Sequence, residues 1–455
     1  MHSFKPLLLA VLVLSGCATS QAPYTAPATS LPAQWQYGTA STAASTDAWW
    51  KGFNDPVLNQ LVDQALQRNN NLAAAAIKVR QAQLQAGLAE NRPSFSGSLS
   101  TGANRALEGS ANTNRSSGAS LGVGYEIDLW NKLGSQRDVA LWEARATEQD
   151  RASTALALVG TTAQLYWQLG YLNQRLAANQ SNIATAEKTL QLVQAQANAG
   201  AVGGLELAEA RQSLLNLQAS DTTLQQQAVA ANTALALLFD TAPGTPPAQP
   251  QTLPTSTLPE VAAGLPAELL ARRPDLRAAE LRLRESHAQI TATRASYYPA
   301  LTLTGALGTS STSLLNLLSN PVASLGLGLG LSLPFLNQKE MDLNIQVAQA
   351  QSEAAVVNFR QTLYTALGDV DNALSARQQY RAQALLLAQV LQAATEAERL
   401  YGVRYRAGAV ALKPWLDAQT ARRNAEIALA ENRLNQFTNH ATLVLALGGD
   451  AVLPE

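Results

Sequence analysis

Four stretches of the chain alternate apolar residues with small or polar ones, and this pattern restricts the folds available to the whole sequence. In residues 117–129 the apolar side chains fall on one side of an extended strand, and serine, glycine and acidic side chains fall on the other. Successive side chains of a strand point to opposite faces. The alternation recurs in residues 94–103, 301–308 and 323–333. Because a tilted strand of roughly 9–11 residues crosses the hydrocarbon of a bilayer, the sequence predicts two membrane-spanning hairpins.

Four strands are too few to seal a sheet in lipid. Each unpaired backbone group costs several kcal/mol there, and closed membrane barrels begin at about eight strands. Several copies of the chain must therefore share one barrel. Three copies would give a 12-stranded barrel, whereas two would give eight strands around a lumen filled by side chains.

The composition offers little material for enzymatic chemistry. Only 14% of the 455 residues are charged, against about 25% in typical proteins, and the net charge is -1. The histidines are His2, His287 and His440, and the one cysteine lies near the N-terminus. This excludes a basic nucleic-acid surface, a nucleophilic constellation and a histidine–cysteine metal site. The sequence therefore predicts no enzyme, no catalytic residue, no metal site and no bound cofactor.

The N-terminus has the features of a secreted lipoprotein. An apolar run follows Lys5 and is too short for a transmembrane helix, so residues 1–16 are predicted to be a signal peptide. The sequence Leu14-Ser15-Gly16-Cys17 resembles a bacterial lipobox, which predicts a covalent lipid, including palmitate, on Cys17. The alternative is an ordinary signal peptide with a chance cysteine. Ala18 favours outer-membrane over inner-membrane sorting. Residues 17–48 form the predicted lipidated N-terminus and tether, with a flexible composition over 18–33.

The remainder of the chain is an internal duplication. The sequence Ala199-Gly200-Ala201-Val202 recurs 208 positions later as Ala407-Gly408-Ala409-Val410. Each half predicts helices, a hairpin, a very long helix, a tight turn and a further helix. The predicted boundaries are a first repeat at 49–240 (hairpin about 94–130, long helices 131–198 and 204–239), a proline-rich linker at 241–266, a second repeat at 267–449 (hairpin about 299–336, long helices 337–406 and 411–447) and a tail at 450–455.

The long helices carry apolar residues every 3.5 positions, which predicts coiled-coil packing. If helical throughout, residues 131–197 would extend roughly 100 Å at 1.5 Å per residue. Each hairpin runs directly into such a helix, so the helices should continue the barrel on its cell-facing side. The predicted fold is an α+β membrane protein: a trimeric channel-tunnel with an outer-membrane β-barrel and a periplasmic α-barrel.

The chain resembles the outer membrane factor family, the TolC-like channels of tripartite efflux pumps, and most closely its lipoprotein branch that pairs with resistance-nodulation-division pumps. The resemblance covers essentially the whole mature chain. It rests on Cys17, Trp49-Trp50, the strand end at 125–130 and the turn at 405–410. It implies a passive trimeric conduit, anchored in the outer membrane with a large periplasmic portion, that receives small molecules from an inner-membrane pump through a periplasmic adaptor.

The resemblance also implies functional positions. Aligned on the second turn, the family's gate aspartate falls at Asp417, where three copies would form an acidic ring that attracts cations. Pro414 occupies the position of a second aspartate of some members, which leaves a single ring, with Lys413 and Leu416 as further candidates for the constriction. Arg404, Tyr405 and Arg406 match positions that hold the gate helices together. The turns expected to contact the adaptor comprise Gly200, Ala201, Val202, Gly408, Ala409 and Val410, although both glycines could serve the helix ends alone.

A second interpretation is a structural or adhesive trimeric coiled-coil lipoprotein of the outer membrane, without transport. The duplicated hairpins favour the conduit, because a stalk needs neither. The sequence leaves the exported substrate open among drugs, dyes, metals and aromatic acids.

Overall fold

The computed structural model describes residues 24–38, 48–105, 113–242, 244, 250–255, 257–319 and 322–449. The predicted signal peptide, Cys17 and the tail at 450–455 lie outside these residues. The chain forms two compact units, and each takes segments from both sequence repeats. Described parts of the first unit come from 24–29, Lys78–Thr147 and Ala278–Arg360, and those of the second from Ser30–Ile77, Glu148–Arg277 and 361–449. The compact units therefore cut across the duplication.

The first unit contains one antiparallel sheet. Its strands are β1 (Ser94–Arg105), β2 (Thr113–Ile127), β3 (Ala300–Ser311) and β4 (Val322–Ser332), and their spatial order is β1-β2-β3-β4. The two hairpins are joined because β2 pairs with β3 from the other half of the chain. Within the described residues, β1 and β4 are therefore edge strands with one neighbour each.

The register collects the apolar residues on one face of the sheet. Phe95, Val123, Gly305 and Leu327 form one cross-strand row, and the next row outward is Ser96, Gly122, Ala306 and Gly326. The leucines of the first face are exposed in the single chain, as Leu327 at 84% illustrates. On the other face Ser98 and Ser120 hydrogen-bond at 2.9 Å. The sheet thus has one apolar face and one face of small polar residues, as the alternation predicts.

The helices follow the predicted order. They are α1 (Pro56–Arg68), α2 (Asn70–Leu88), α3 (Lys132–Asn198), α4 (Gly204–Ala236), α5 (Leu269–Arg272), α6 (Pro274–Ala295), α7 (Leu314–Ser319), α8 (Gln338–Arg406) and α9 (Leu412–Ala446). The longest, α3 and α8, have 67 and 69 residues and contain no proline. In α9, Pro414 lies in the first turn, where its missing N–H removes no helical hydrogen bond.

None of the helices in the described part of the chain is both long enough and apolar enough to span a membrane.

An aromatic cluster fills the core of the second unit. A short 3-10 helix, Trp49–Phe53, places Phe53 5.0 Å from Trp167 of α3, and Trp167 lies 5.2 Å from Phe437 of α9. Trp167 and Phe437 are each 1% exposed. Burial of such large rings is the main stabilising contribution available to helices whose other faces are polar.

The described part of the predicted tether, residues 17–48, makes contacts with the rest of the chain, and the flexibility of residues 18–33 stays a prediction. In the first unit, the Arg284 guanidinium lies 5.4 Å from the centre of the Tyr24 ring. In the second unit, Trp35 is 5% exposed and donates its Nε1–H to the Gly264 carbonyl at 3.0 Å. The backbone N–H of Gln36 donates to Asp371 of α8 at 3.1 Å. The proline-rich composition prevents a helix here, but an extended segment can still pack through one tryptophan and its backbone groups.

Candidate functional site at the two helical turns

The two duplicated turns have the same backbone geometry. Gly200 follows α3 with φ +73°, and Gly408 follows α8 with φ +71°. Ala201 N–H donates to the Gln196 carbonyl and Ala409 N–H donates to the Arg404 carbonyl, at 2.8 and 2.9 Å. This is the glycine-dependent helix ending in which a six-residue hydrogen bond closes the last turn. A side chain at either glycine would be strained, so both glycines have a structural role in ending the helices.

The turns expose their small residues and bury part of their valines. Gly200, Ala201, Gly408 and Ala409 are exposed, whereas Val202 and Val410 are half-buried. Both valines pack onto one apolar cluster, here called the tip core: Val193, Ala210, Tyr405, Leu412 and Leu416. The two turns are therefore neighbours, and together they present four small residues to solvent.

Tyr405 connects two long helices at the tip core. Its hydroxyl donates to Gln196 Oε1 of α3 at 2.8 Å, and its ring stacks on Trp415 of α9 with centroids 5.2 Å apart. Burial, with the charge of Glu206 second, raises the pKa of Tyr405, so the hydroxyl remains a donor at neutral pH. Tyr405 thus connects α3, α8 and α9 within one chain, and its role in locking a gate stays a prediction.

The two arginines beside Tyr405 lie at the exposed end of α8. Arg404 and Arg406 are both exposed in the last turn of α8. Arg406 donates its Nε–H to the Gly402 carbonyl of its own helix at 3.0 Å. This contact supports the end of α8 and makes no link to another helix.

Leu416, expected at a constriction, is instead buried in the tip core with 7% of its surface exposed. It follows Leu412 by one helical turn and therefore shares the face of α9 that packs inward. We assign it to the apolar packing of the tip.

Lys413 and Asp417 lie on the exposed face of the same helix. Lys413 Nζ forms a salt bridge with Asp417 Oδ1 one turn later, and both side chains are more than half exposed. They border a groove of about 510 Å³ between α4 and α9, which Glu209 and Arg423 also line. The candidate gate aspartate therefore carries a lysine counter-charge, so three copies would form a ring of paired charges rather than a purely acidic one.

Arg422 is a helix-linking residue that sequence reasoning missed. This α9 residue forms a salt bridge from its Nε to Glu398 of α8, and its Nη2 donates to Asn182 Oδ1 of α3 at 3.2 Å. Its Nη1 also pairs with Glu426 at 2.8 Å. The only signal in the sequence is the rarity of charge in these helices, and rarity does not reveal which distant residues are the partners.

Across the described ranges, no three histidine, cysteine, aspartate or glutamate side chains are grouped closely enough to hold a metal ion.

Comparison with known proteins identifies the family. The model of the outer membrane efflux protein family matches residues 61–239 and 265–449, which correspond to the two repeats. The chain is 35% identical to the pyoverdine export outer membrane protein OpmQ of Pseudomonas putida, over 97% of this chain and 96% of that protein. It is 30% identical to the antibiotic efflux pump outer membrane protein ArpC of Pseudomonas putida, over 98% and 95%.

Among solved structures, the open state of the Neisseria gonorrhoeae MtrE outer membrane channel matches with a TM-score of 0.83 at 28% identity, covering 95% of this chain and 98% of that one. Fold, sequence and family model agree over nearly the full length. The chain belongs to the outer membrane efflux protein family, and its function is efflux through a channel in the outer membrane.

Proposed function

We propose that three copies of the chain assemble into one passive conduit, with a shared 12-stranded barrel in the outer membrane and a periplasmic barrel of long helices. The observation that carries this proposal is the four-stranded sheet. Its leucine face is exposed, and its edges β1 and β4 have one partner each among the described residues. Pairing β4 of one copy with β1 of the next satisfies both edges and turns every leucine face toward lipid.

The conduit depends on a membrane anchor and on two further proteins. A covalent lipid on Cys17 anchors the N-terminus in the outer membrane, a periplasmic adaptor docks on the two helical turns, and an inner-membrane pump supplies the energy. Support for adaptor docking comes from the four exposed small residues of the turns, Gly200, Ala201, Gly408 and Ala409, because small side chains allow close approach of another backbone.

The cargo is a range of small organic molecules. The names of two relatives differ in this respect, since OpmQ is named for pyoverdine export and ArpC for antibiotic efflux. The polar face of the described strands carries mainly serine, threonine and glycine. Its acidic residue, Glu126, is paired with Lys132 at 2.7 Å, so this face offers no unpaired charge to select one molecule. Selection therefore belongs to the pump.

The test combines mass and conductance of the purified protein. We expect a detergent-solubilised mass of three chains and stepwise conductance after insertion into planar bilayers. A trimer that never conducts would favour the structural or adhesive lipoprotein, and a stable monomer without detergent would refute the shared barrel. Replacing Cys17 with Ala should abolish palmitate labelling while the purified trimer still conducts.

A further inference from the structure

A semi-enclosed cavity of about 200 Å³ lies between α3, α4 and α9, farther along these helices than the groove at Asp417. Three apolar residues, Leu217, Leu224 and Ile427, line one part of it. Arg175 from α3 and Arg423 from α9 also line it. At roughly 30 Å³ per water, the cavity has room for about six waters or one small organic molecule.

Each of the two arginines donates a hydrogen bond to a neutral hydroxyl group. Arg175 donates to the Tyr171 hydroxyl at 3.4 Å, and Arg423 donates to the Thr420 hydroxyl at 2.8 Å. Among the residues that the structure describes, no salt bridge reaches either guanidinium. Burial and the charge of Arg422 lower the pKa of Arg423, and the charge of Glu398 opposes them only in part.

The nearby acids are already engaged. Glu426 lines the cavity, but it accepts a hydrogen bond from Arg422 Nη1 at 2.8 Å. Asp221 accepts from Asn179 at 3.2 Å and from Gln225 at 2.6 Å. The cavity therefore combines two arginines lacking an acidic partner with an apolar wall, which is the chemistry that recognises an amphipathic anion.

We propose that this cavity binds a small organic monoanion, with its carboxylate between Arg175 and Arg423 and its apolar body against Leu217, Leu224 and Ile427. Since the two arginines belong to α3 and α9, a bound anion also ties these helices together. The site lies within one chain, so its occupancy does not depend on whether the assembly conducts.

Calorimetric titration of the purified full-length protein with sodium benzoate tests the site, with benzamide as a neutral probe of the same shape. We expect one benzoate per chain and binding of benzamide weaker by about tenfold or more, because a hydrogen bond to a charged group contributes about 1.5–3 kcal/mol and about 1.4 kcal/mol is tenfold. Arg175→Gln and Arg423→Gln should each weaken benzoate binding about tenfold. The matched control Arg211→Gln, exposed on α4 and outside the cavity, should leave it unchanged.

Ala178→Leu keeps both arginines but fills the cavity, so it should remove benzoate binding while circular dichroism and the size-exclusion volume stay those of the wild type. This variant decides the question if an arginine variant fails to fold. Equal affinity for benzoate and benzamide, no benzoate binding, or wild-type affinity in Ala178→Leu would each overturn the proposal.

Discussion

His440 is a buried histidine on α9 in aromatic surroundings. Its ring lies 5.2 Å from that of Phe53 and 6.0 Å from that of Trp49, and 4% of its surface is exposed. Burial first, and then the charges of Arg377 and Arg381, lower the pKa of His440 to about 4. The side chain is therefore neutral in the folded protein at any pH of the cell envelope, and its role is packing.

This burial predicts acid sensitivity. The unfolded chain has a histidine pKa of about 6.5 and binds the proton more readily than the folded chain, so acid favours unfolding. The contribution of His440 is complete above pH 6.5 and is lost as the pH falls toward 4, by about 3 kcal/mol in total. We expect the unfolding temperature of the detergent-solubilised protein to fall over this range, and to fall less in His440→Gln. The control His287→Gln should keep the wild-type slope, and an unchanged slope in His440→Gln would contradict the assignment.

The pairing of Lys413 with Asp417 predicts opposite effects of two neighbouring substitutions on cation block. Asp417→Ala leaves three unpaired lysines in the trimer and should weaken block of the conductance by Mg²⁺. Lys413→Ala leaves three unpaired aspartates and should strengthen it. The stability cost of either change is small, because exposed ion pairs contribute about 0–1 kcal/mol. Single-channel recording with Mg²⁺ on the periplasmic side measures both effects. Equal block in all variants would show that neither residue lines the pore.

At the scale of elements, Arg422 couples three long helices. Arg422→Gln removes its ion pairs with Glu398 and Glu426 and leaves two carboxylates without their partner. We expect a loss of about 1–2 kcal/mol at this partly exposed site, below the cost of breaking a fully buried pair. Hydrogen exchange should accelerate in α9 around residue 422, and channel openings should become more frequent. Arg404→Gln, an exposed arginine of α8, is the control. Unchanged exchange in Arg422→Gln would show that the network does not restrain α9.

The strand β4 allows a test of its two faces with adjacent residues. Leu327 belongs to the apolar face and Gly326 to the opposite one. An arginine facing the middle of the bilayer costs about 2–4 kcal/mol, whereas one facing the lumen does not. A Cβ atom added at Gly326 would have only the Ala306 carbonyl oxygen within reach, at 4.0 Å. Leu327→Arg should therefore reduce the yield of trimer in outer-membrane fractions, and Gly326→Arg should preserve the yield but alter conductance. The reverse outcome would show that Gly326 faces the lipid and Leu327 faces the lumen.

At the scale of the whole molecule, the features predicted from sequence are those set by local periodicity. The alternation over 117–129 and 323–333 is enough to predict strands, and the apolar repeat of the long helices is enough to predict coiled coils. The glycines at 200 and 408 predict the turns because the left-handed backbone conformation that ends a helix favours glycine.

Features that depend on distant partners could not be predicted in this way. The inward position of Leu416, the contacts of Arg422 with Glu398 and Asn182, and the packing of Trp35 each require knowing which helix lies opposite. The spacing of four residues between Lys413 and Asp417 on a helix is enough to predict their salt bridge, whereas the resemblance implies a ring of acids.

The pairing of β2 with β3 has a consequence for biosynthesis. Val123 pairs with Phe95 inside the first hairpin, but its second partner, Gly305, lies on the order of 180 residues later. The first half of a nascent chain therefore cannot complete the four-stranded sheet. Contacts of such long separation form slowly. The leucines of the first hairpin therefore stay uncovered until translocation delivers the second hairpin, and we expect maturation to depend on a chaperone in the envelope.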